Sequence, residues 1–279
     1  MISRCRTSGV KKKVRAINIA IHGIKHPITG LFQIALRQPP YTIKLASGKE
    51  IEVKSGRAEV MNEIMKEQLS VDGNKHFVYR HQRINYSIAG YNSPETMFST
   101  FIFEDWSWLN VKGKIVVDIG GYIGDTAIYF ISRGALKVIS IEPFPWSCKL
   151  AIENIRINNL SDRVEIINAV VGQKDSFVTI DPNYENSNVS TVIASDAGVK
   201  VPIVELATIV EKYGIKNGSL KVNCEGCEYE LFENSTIDTI RSFSDIQIHY
   251  HNSPTLLVRR LNGAGFLVRC GEYVYAKRK

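Results

Sequence analysis

Apolar positions recur along this chain in two rhythms. Near the N-terminus Val14, Ile17, Ile21, Ile24, Ile28, Leu31 and Ala35 are spaced by alternating threes and fours, which lines them along one face of a helix. Gly23, Pro27 and Gly30 interrupt that face. An interior proline costs a helix ~3 kcal/mol, so two short amphipathic helices broken near Pro27 are predicted. Gln38-Pro39-Pro40 ends the segment. From Thr42 to Val53 two alternating runs flank Ser47-Gly48, the pattern of a hairpin. Arg57–Leu69 returns to helical spacing through Val60, Ile64 and Met65, and residues 70–100 are polar and aromatic with little periodicity.

From Val111 onward short apolar runs alternate with helical patterns. Strands are predicted at Ile115–Asp118, Val138–Glu142, Val164–Val170, Leu220–Cys224 and Ile246–His249. Helices are predicted at Gly124–Arg133, Ser147–Asn158, Leu206–Tyr213 and Gly226–Glu233. This β-α-β-α-β order puts crossover helices on both faces of a mostly parallel sheet, a doubly wound α/β fold. Gly265–Arg269 and Tyr273–Lys277, flanking Cys270-Gly271-Glu272, predict a terminal antiparallel hairpin. Three regions are expected: a basic, partly helical arm (1–40), a small α+β region (41–110) and the α/β domain (111–279).

Composition is that of an ordinary globular chain, with 279 residues, 44% apolar and 23% charged, long enough to bury a large core. The net charge of +7 is unevenly placed. Ten of the 35 basic residues and none of the 28 acidic ones fall within residues 1–49, so the remainder is slightly acidic. No apolar run reaches the length of a transmembrane helix. The most apolar part of the arm, Ile17–Ile24, is broken by Asn18 and His22 and has no cleavage signature, so no secretory leader is expected. Five scattered cysteines read as reduced and intracellular, hence a cytoplasmic chain. The arm reads as a solvated tail, as an interfacial anchor that meets anionic headgroups, or as a phosphate-binding segment. The acidic body and the lack of an RNA-binding motif weigh against nucleic acid.

The first α/β strand runs into Val117-Asp118-Ile119-Gly120-Gly121-Tyr122-Ile123-Gly124. Glycines between a strand and a helix let a ligand approach the backbone closely. Asp118 stands before the glycines, where it would repel a pyrophosphate but attract the ammonium and sulfonium of S-adenosylmethionine. Glu142 ends the next strand, at the offset where an acid binds ribose hydroxyls in nucleoside-binding folds. Cys224-Glu225-Gly226-Cys227 has the spacing of a zinc or redox pair, but with no second such pair no metal is expected. Glu225, Glu228, His249 and His251 sit at strand ends as candidate bases for an acceptor hydroxyl. His249 and His251 are expected to diverge, only one of them facing the site.

VVDIGGYIGDTAIYF (116–130), IEPFPWSCKLAIENIRINN (141–159), NAVVG (168–172) and LKVNCEGCEYELF (220–232) together resemble FkbM-type methyltransferases, within the class I S-adenosylmethionine-dependent enzymes. The last segment matches the family's K-x-D-x-E-G-x-E signature, with Asn223 in place of its aspartate, and Val204-Glu205-Leu206-Ala207 replaces the Thr-Leu-Asp usually found upstream. The resemblance implies a Rossmann-like, seven-stranded doubly wound sheet ending in an antiparallel hairpin. It implies methyl transfer, usually to a hydroxyl oxygen of a sugar, glycan or other small or lipid-linked acceptor. Asp118, Gly120, Gly121, Gly124, Glu142 and Asn168 would then bind cofactor, and Glu225, Glu228 and His249 would serve catalysis. Peripheral membrane contact through residues 1–40 would suit a lipid-linked acceptor. An RNA methyltransferase using the arm, or a nicotinamide-dependent oxidoreductase, are the alternatives.

Overall fold

The computed structural model describes residues 25–26, 30, 38–45, 48–54, 60, 63, 76–79, 82–86, 98–173, 176–180 and 198–279. They fall into two compact units, one within residues 6–86 and 93–103 and the other carried by Glu104–Lys279. In the first unit β1 (Tyr41–Lys44) pairs antiparallel with β2 (Glu50–Val53). Tyr41 and Ile43 are buried while Thr42 and Lys44 are exposed, so the alternation read from the sequence is the hairpin's inside–outside pattern. A second hairpin, not predicted, joins β3 (His76–Tyr79) to β4 (Gln82–Asn85) in a stretch whose sequence shows little periodicity. A π-helical turn covers Phe98–Ile102. The helices predicted in the arm and at 57–69 lie almost wholly outside the described residues.

The second unit runs β5 (Ile115–Ile119), α1 (Asp125–Ser132), β6 (Lys137–Glu142), α2 (Pro145–Ile157), β7 (Val164–Asn168), β8 (Val170–Val171), β9 (Ser176–Ile180) and β10 (Val199–Val204). It continues with α3 (Leu206–Lys212), β11 (Gly218–Val222), α4 (Cys227–Asn234), α5 (Ile237–Arg241), β12 (Phe243–His249), α6 (Thr255–Gly263), β13 (Phe266–Cys270) and β14 (Tyr273–Arg278). Seven strands form one sheet in the order β13-β14-β12-β11-β5-β6-β7. The five from β12 to β7 are parallel, and β14 inserts antiparallel between β12 and β13. The doubly wound sheet and its terminal hairpin are as the sequence predicts.

Central strands are buried because both faces are covered, and the polar side chains they carry, Asp118, Ser140 and Lys221 among them, are buried with them. In β5 every residue after Ile115 is buried, Asp118 included. Val117, Ile119, Leu220, Val222, Ile246 and Ile248 share one core with Leu231 and Phe232 of α4 and Leu257 and Leu261 of α6. Each such side chain contributes ~1.5–3 kcal/mol by leaving water. Pro145 opens α2 at a position where its missing N–H costs nothing. Thr236 caps α5 by accepting from the Thr239 N–H at 3.1 Å.

Within the second unit the structure both divides and adds to the predicted elements. The strand predicted at 164–170 is split, since β7 stops at Asn168 and β8 turns away into a separate sheet ordered β8-β10-β9. That sheet, α5 and α6 were not predicted; α5 is five residues long, and in α6 only Leu257 and Leu261 are buried, with Leu256 and Val258 partly buried against the same core. Among the described residues no helix is long and apolar enough to cross a membrane.

Candidate active site

Strand register assembles the floor of the site. Asp118 on β5 lies opposite Lys221 of β11 on one side and Ser140 of β6 on the other. Lys221 Nζ sits 2.8 Å from Asp118 Oδ1, with both side chains fully buried. It also donates to the Gly120 and Ile119 carbonyls at 2.5 and 3.3 Å, and lies 5.1 Å from the centre of the Trp106 ring. Asp118 Oδ2 accepts from Thr126 Oγ1 at 2.6 Å and from Ser140 Oγ at 3.3 Å. From its place at a strand tip Asp118 is expected to face a cationic cofactor. In the fold its counter-charge is Lys221, because parallel pairing of β5 and β11 sets the two residues side by side.

Above this pair runs the glycine loop, whose Gly120 and Gly121 N–H groups donate to the Ile141 carbonyl at 2.9 and 3.1 Å. Gly120 has φ +75°, and a Cβ there would lie 1.8 Å from the Asn223 carbonyl oxygen. A Cβ on Gly121 would lie 1.8 Å from Ser140 Oγ. The glycines let the loop settle against the ends of β11 and β6, and Gly124 turns the chain into α1.

Glu142 closes β6 with a buried carboxylate. Its Oε2 accepts from the Tyr122 N–H at 2.8 Å and its Oε1 from the Phe144 N–H at 3.1 Å. Burial pushes this carboxyl up to about 7, against the pull of those two N–H donors and of Lys221. Asn168 is spent on the same strand end, its amide donating to the carbonyls of Glu142 and Pro143 at 3.0 and 2.7 Å.

A second cluster stands where β11 and β12 end. Asn223 Oδ1 lies 2.8 Å from His249 Nδ1. With that oxygen accepting, Nδ1 carries the proton and Nε2 keeps its lone pair. His249 Nε2 meets no hydrogen-bond partner among the described residues. Burial, helped by the neighbouring His251, lowers the His249 pKa. His251 Nε2 lies 2.9 Å from Glu225 Oε2 and its Nδ1 3.0 Å from Glu228 Oε1, which also accepts the His251 N–H at 3.1 Å.

The two histidines do not diverge; their ring centres are 4.8 Å apart. Residues two apart in extended chain share a face, and the β12 direction carries on through Tyr250. The reading of all cysteines as reduced is also corrected. Cys224 and Cys227 are joined in a disulfide, which their spacing permits once the loop turns tightly between them, while Cys148 and Cys270 are free. Sequence reasoning assigned no role to Lys221, Thr126 or Ser140. Lys221 stood in plain view as the first residue of the KVNCEGCE segment, but only strand pairing reveals its partner.

Comparison with known proteins bears on this arrangement. The sequence profile described as the Methyltransferase FkbM domain matches residues 118–266, from the buried aspartate to the start of the terminal hairpin. The chain belongs to this family. The FkbM segment is accordingly an S-adenosylmethionine-dependent methyltransferase domain with the Rossmann-like sheet described above. The crystal structure of Methyltransferase FkbM from Methylobacillus flagellatus KT is similar at 15% identity and TM-score 0.45, covering 66% of this chain and 50% of that one. TrmK of M. capricolum, solved with S-adenosyl-homocysteine, is similar at 13% identity and TM-score 0.36, covering 59% of this chain and 60% of that one. The ribosomal protein L11 methyltransferase of Carboxydothermus hydrogenoformans is 42% identical over 55 residues, 20% of this chain and 18% of that protein. The chain thus spans half the length of the FkbM structure and less than a fifth of the L11 enzyme.

The donor set fits the methyl donor. In its ionised form Glu142 uses one lone pair on each oxygen for a backbone N–H, which leaves one acceptor position per oxygen for a vicinal diol. Lys221 consumes the charge of Asp118, so the aspartate shapes the loop from beneath.

Proposed function

We propose that this chain transfers a methyl group from S-adenosylmethionine to a hydroxyl of a sugar, glycan or lipid-linked acceptor. The observation that carries the reading is His249, whose Nδ1 is held by the Asn223 side chain at 2.8 Å, with Nε2 left as a base. An alcohol is a poor nucleophile, and a positioned base contributes ~10²–10⁴-fold to its reaction. S-Adenosylmethionine, when bound, supplies the methyl electrophile and its own leaving group. Gly120, Gly121 and Gly124 shape the loop that receives it, Glu142 accepts from its ribose hydroxyls, and Asn168 keeps the end of β6 in place. On the acceptor side His249 takes the hydroxyl proton. Glu225 and Glu228 hold His251 beside it and thereby set the shape and charge of the entrance. The ten basic residues and no acids of residues 1–49 support docking of the arm on an anionic surface where a lipid-linked acceptor would be met.

The test uses methyl-labelled S-adenosylmethionine with separate pools of oligosaccharides, lipid-linked sugars, tRNA and protein. Label is expected in a sugar-bearing pool. His249→Gln is expected to lower that transfer by ~10²–10⁴-fold while leaving S-adenosylhomocysteine binding, measured by calorimetry, unchanged. Label entering tRNA or protein instead would replace the acceptor class, and the absence of cofactor binding would end the proposal.

A further inference from the structure

The Cys224–Cys227 disulfide closes a ring that starts where β11 ends and finishes at the first residue of α4. The two residues inside it both have left-handed backbone, Glu225 with φ 54° and Gly226 with φ 119°. Glycine adopts that region freely; glutamate does so only when its surroundings hold it there. Both cysteines are half-buried, and Gly226 between them is exposed. Directly beneath lies Glu228, fully buried, with Oε2 3.5 Å from Cys224 Sγ and accepting the Gly226 N–H at 2.9 Å. Its other oxygen holds His251, and Glu225 holds the same ring from its far nitrogen. Ring, carboxylates and histidine therefore form one unit, and Asn223, the partner of His249, is the residue before it.

We infer that Cys224 and Cys227 are a redox-active pair whose oxidation state sets the conformation of this loop, with a dithiol reductant as its exchange partner. The chemistry does not depend on which acceptor is methylated. A thiolate of the reductant attacks Cys224 Sγ, the S–S bond breaks, and the electron pair leaves on Cys227. That sulfur stands at the N-terminal end of α4, where backbone N–H groups favour a thiolate, whereas the carboxylate beside Cys224 disfavours one there. The reductant's second thiol then attacks the reductant sulfur of the mixed disulfide, which closes the reductant's own disulfide and expels Cys224. Cys224 takes a proton and directs its S–H at Glu228 Oε2. Two electrons pass to the protein; one of the reductant's two protons ends on Cys224 and the other on Cys227 or in water, according to pH. With the ring open, Glu225 is released from its left-handed conformation, and the Gly226 and His251 N–H groups lose the rigid frame that presents them to Glu228.

The test takes the full-length protein through graded ratios of reduced to oxidised dithiothreitol, quenched with N-ethylmaleimide and mapped by peptide mass spectrometry. Cys224 and Cys227 are expected to become alkylated together in one two-electron transition. Amide hydrogen exchange at Gly226 and His251 is expected to be at least about tenfold faster in the reduced protein, with β5 unchanged. Cys224→Ser and Cys227→Ser should each exchange like the reduced protein at every ratio. The inference fails if the two cysteines are alkylated independently, or if Gly226 and His251 exchange equally fast in both states. The wild-type comparison needs no variant, so a misfolding serine substitution leaves the test intact.

Discussion

The two halves of the site are built on different terms. Beneath the glycine loop, Asp118, Lys221, Ser140 and Thr126 are fully or almost fully buried, and three of the four are placed by the register of β5, β6 and β11. Where β11 and β12 end, Asn223, Glu225 and His249 are only half-buried and His251 is exposed; they stand on the loop between β11 and α4, at the last residue of β12 and just past it. A buried ion pair in regular sheet leaves no freedom to vary. A half-exposed cluster on a left-handed loop can be rebuilt without disturbing the core. The contrast separates a floor fixed by the sheet from a loop cluster that can change without disturbing it.

Breaking the floor should have the largest effect. Lys221→Met leaves the Asp118 carboxylate buried without its counter-charge and is expected to cost ~3–5 kcal/mol of unfolding free energy by chemical denaturation. Asp118→Asn added to it should recover part of that loss. No equivalent loss is expected from Glu225→Gln, since the group is half-exposed; comparable destabilisation by the two would erase the contrast.

Glu142 offers a test through pH. Its carboxyl is raised to about 7 in the fold from an ordinary value near 4.5, so the folded protein holds a proton that the unfolded chain has released. The stability this provides is fully present below about 4.5 and is lost as pH rises through about 7. The change is on the order of 3 kcal/mol and should appear as a falling denaturation midpoint across that window. Glu142→Gln should flatten it.

The smallest effect concerns the loop itself. Gly120→Ala forces a Cβ against the Asn223 carbonyl oxygen and should cost ~1–3 kcal/mol, with weaker S-adenosylhomocysteine binding. Gly124→Ala, whose Cβ would meet Ala151 at 3.3 Å, should cost less, about 1 kcal/mol, mainly from its positive φ. Equal losses would mean that backbone conformation, and not packing against β11, makes the loop depend on glycine.

Much of the fold was legible because its signals are local. The runs at 115–118, 138–142 and 246–249 are rich in Val and Ile, as covered parallel strands tend to be, and β5, β6 and β12 each contain the run predicted for them. The split between β7 and β8 escaped notice because nothing in the apolar run at 164–170 marks where pairing changes sheets. The arm's amphipathic pattern lies outside the described residues and stands as a sequence expectation.

For the site the division is sharper. Sequence alone determined the residue types and their order: an acid before glycines, a second acid at the next strand end, a lysine, an asparagine and two glutamates in one short segment, and two histidines at the end of the last parallel strand and just past it. Only tertiary structure decided who meets whom. Asp118 meets Lys221 because two strands far apart in sequence are neighbours in the sheet, His249 is turned by Asn223 across the next pair, and His251 is shared between two glutamates. Those partnerships are non-local hydrogen bonds and ion pairs, set by strand order and register, and no spacing along the chain encodes them.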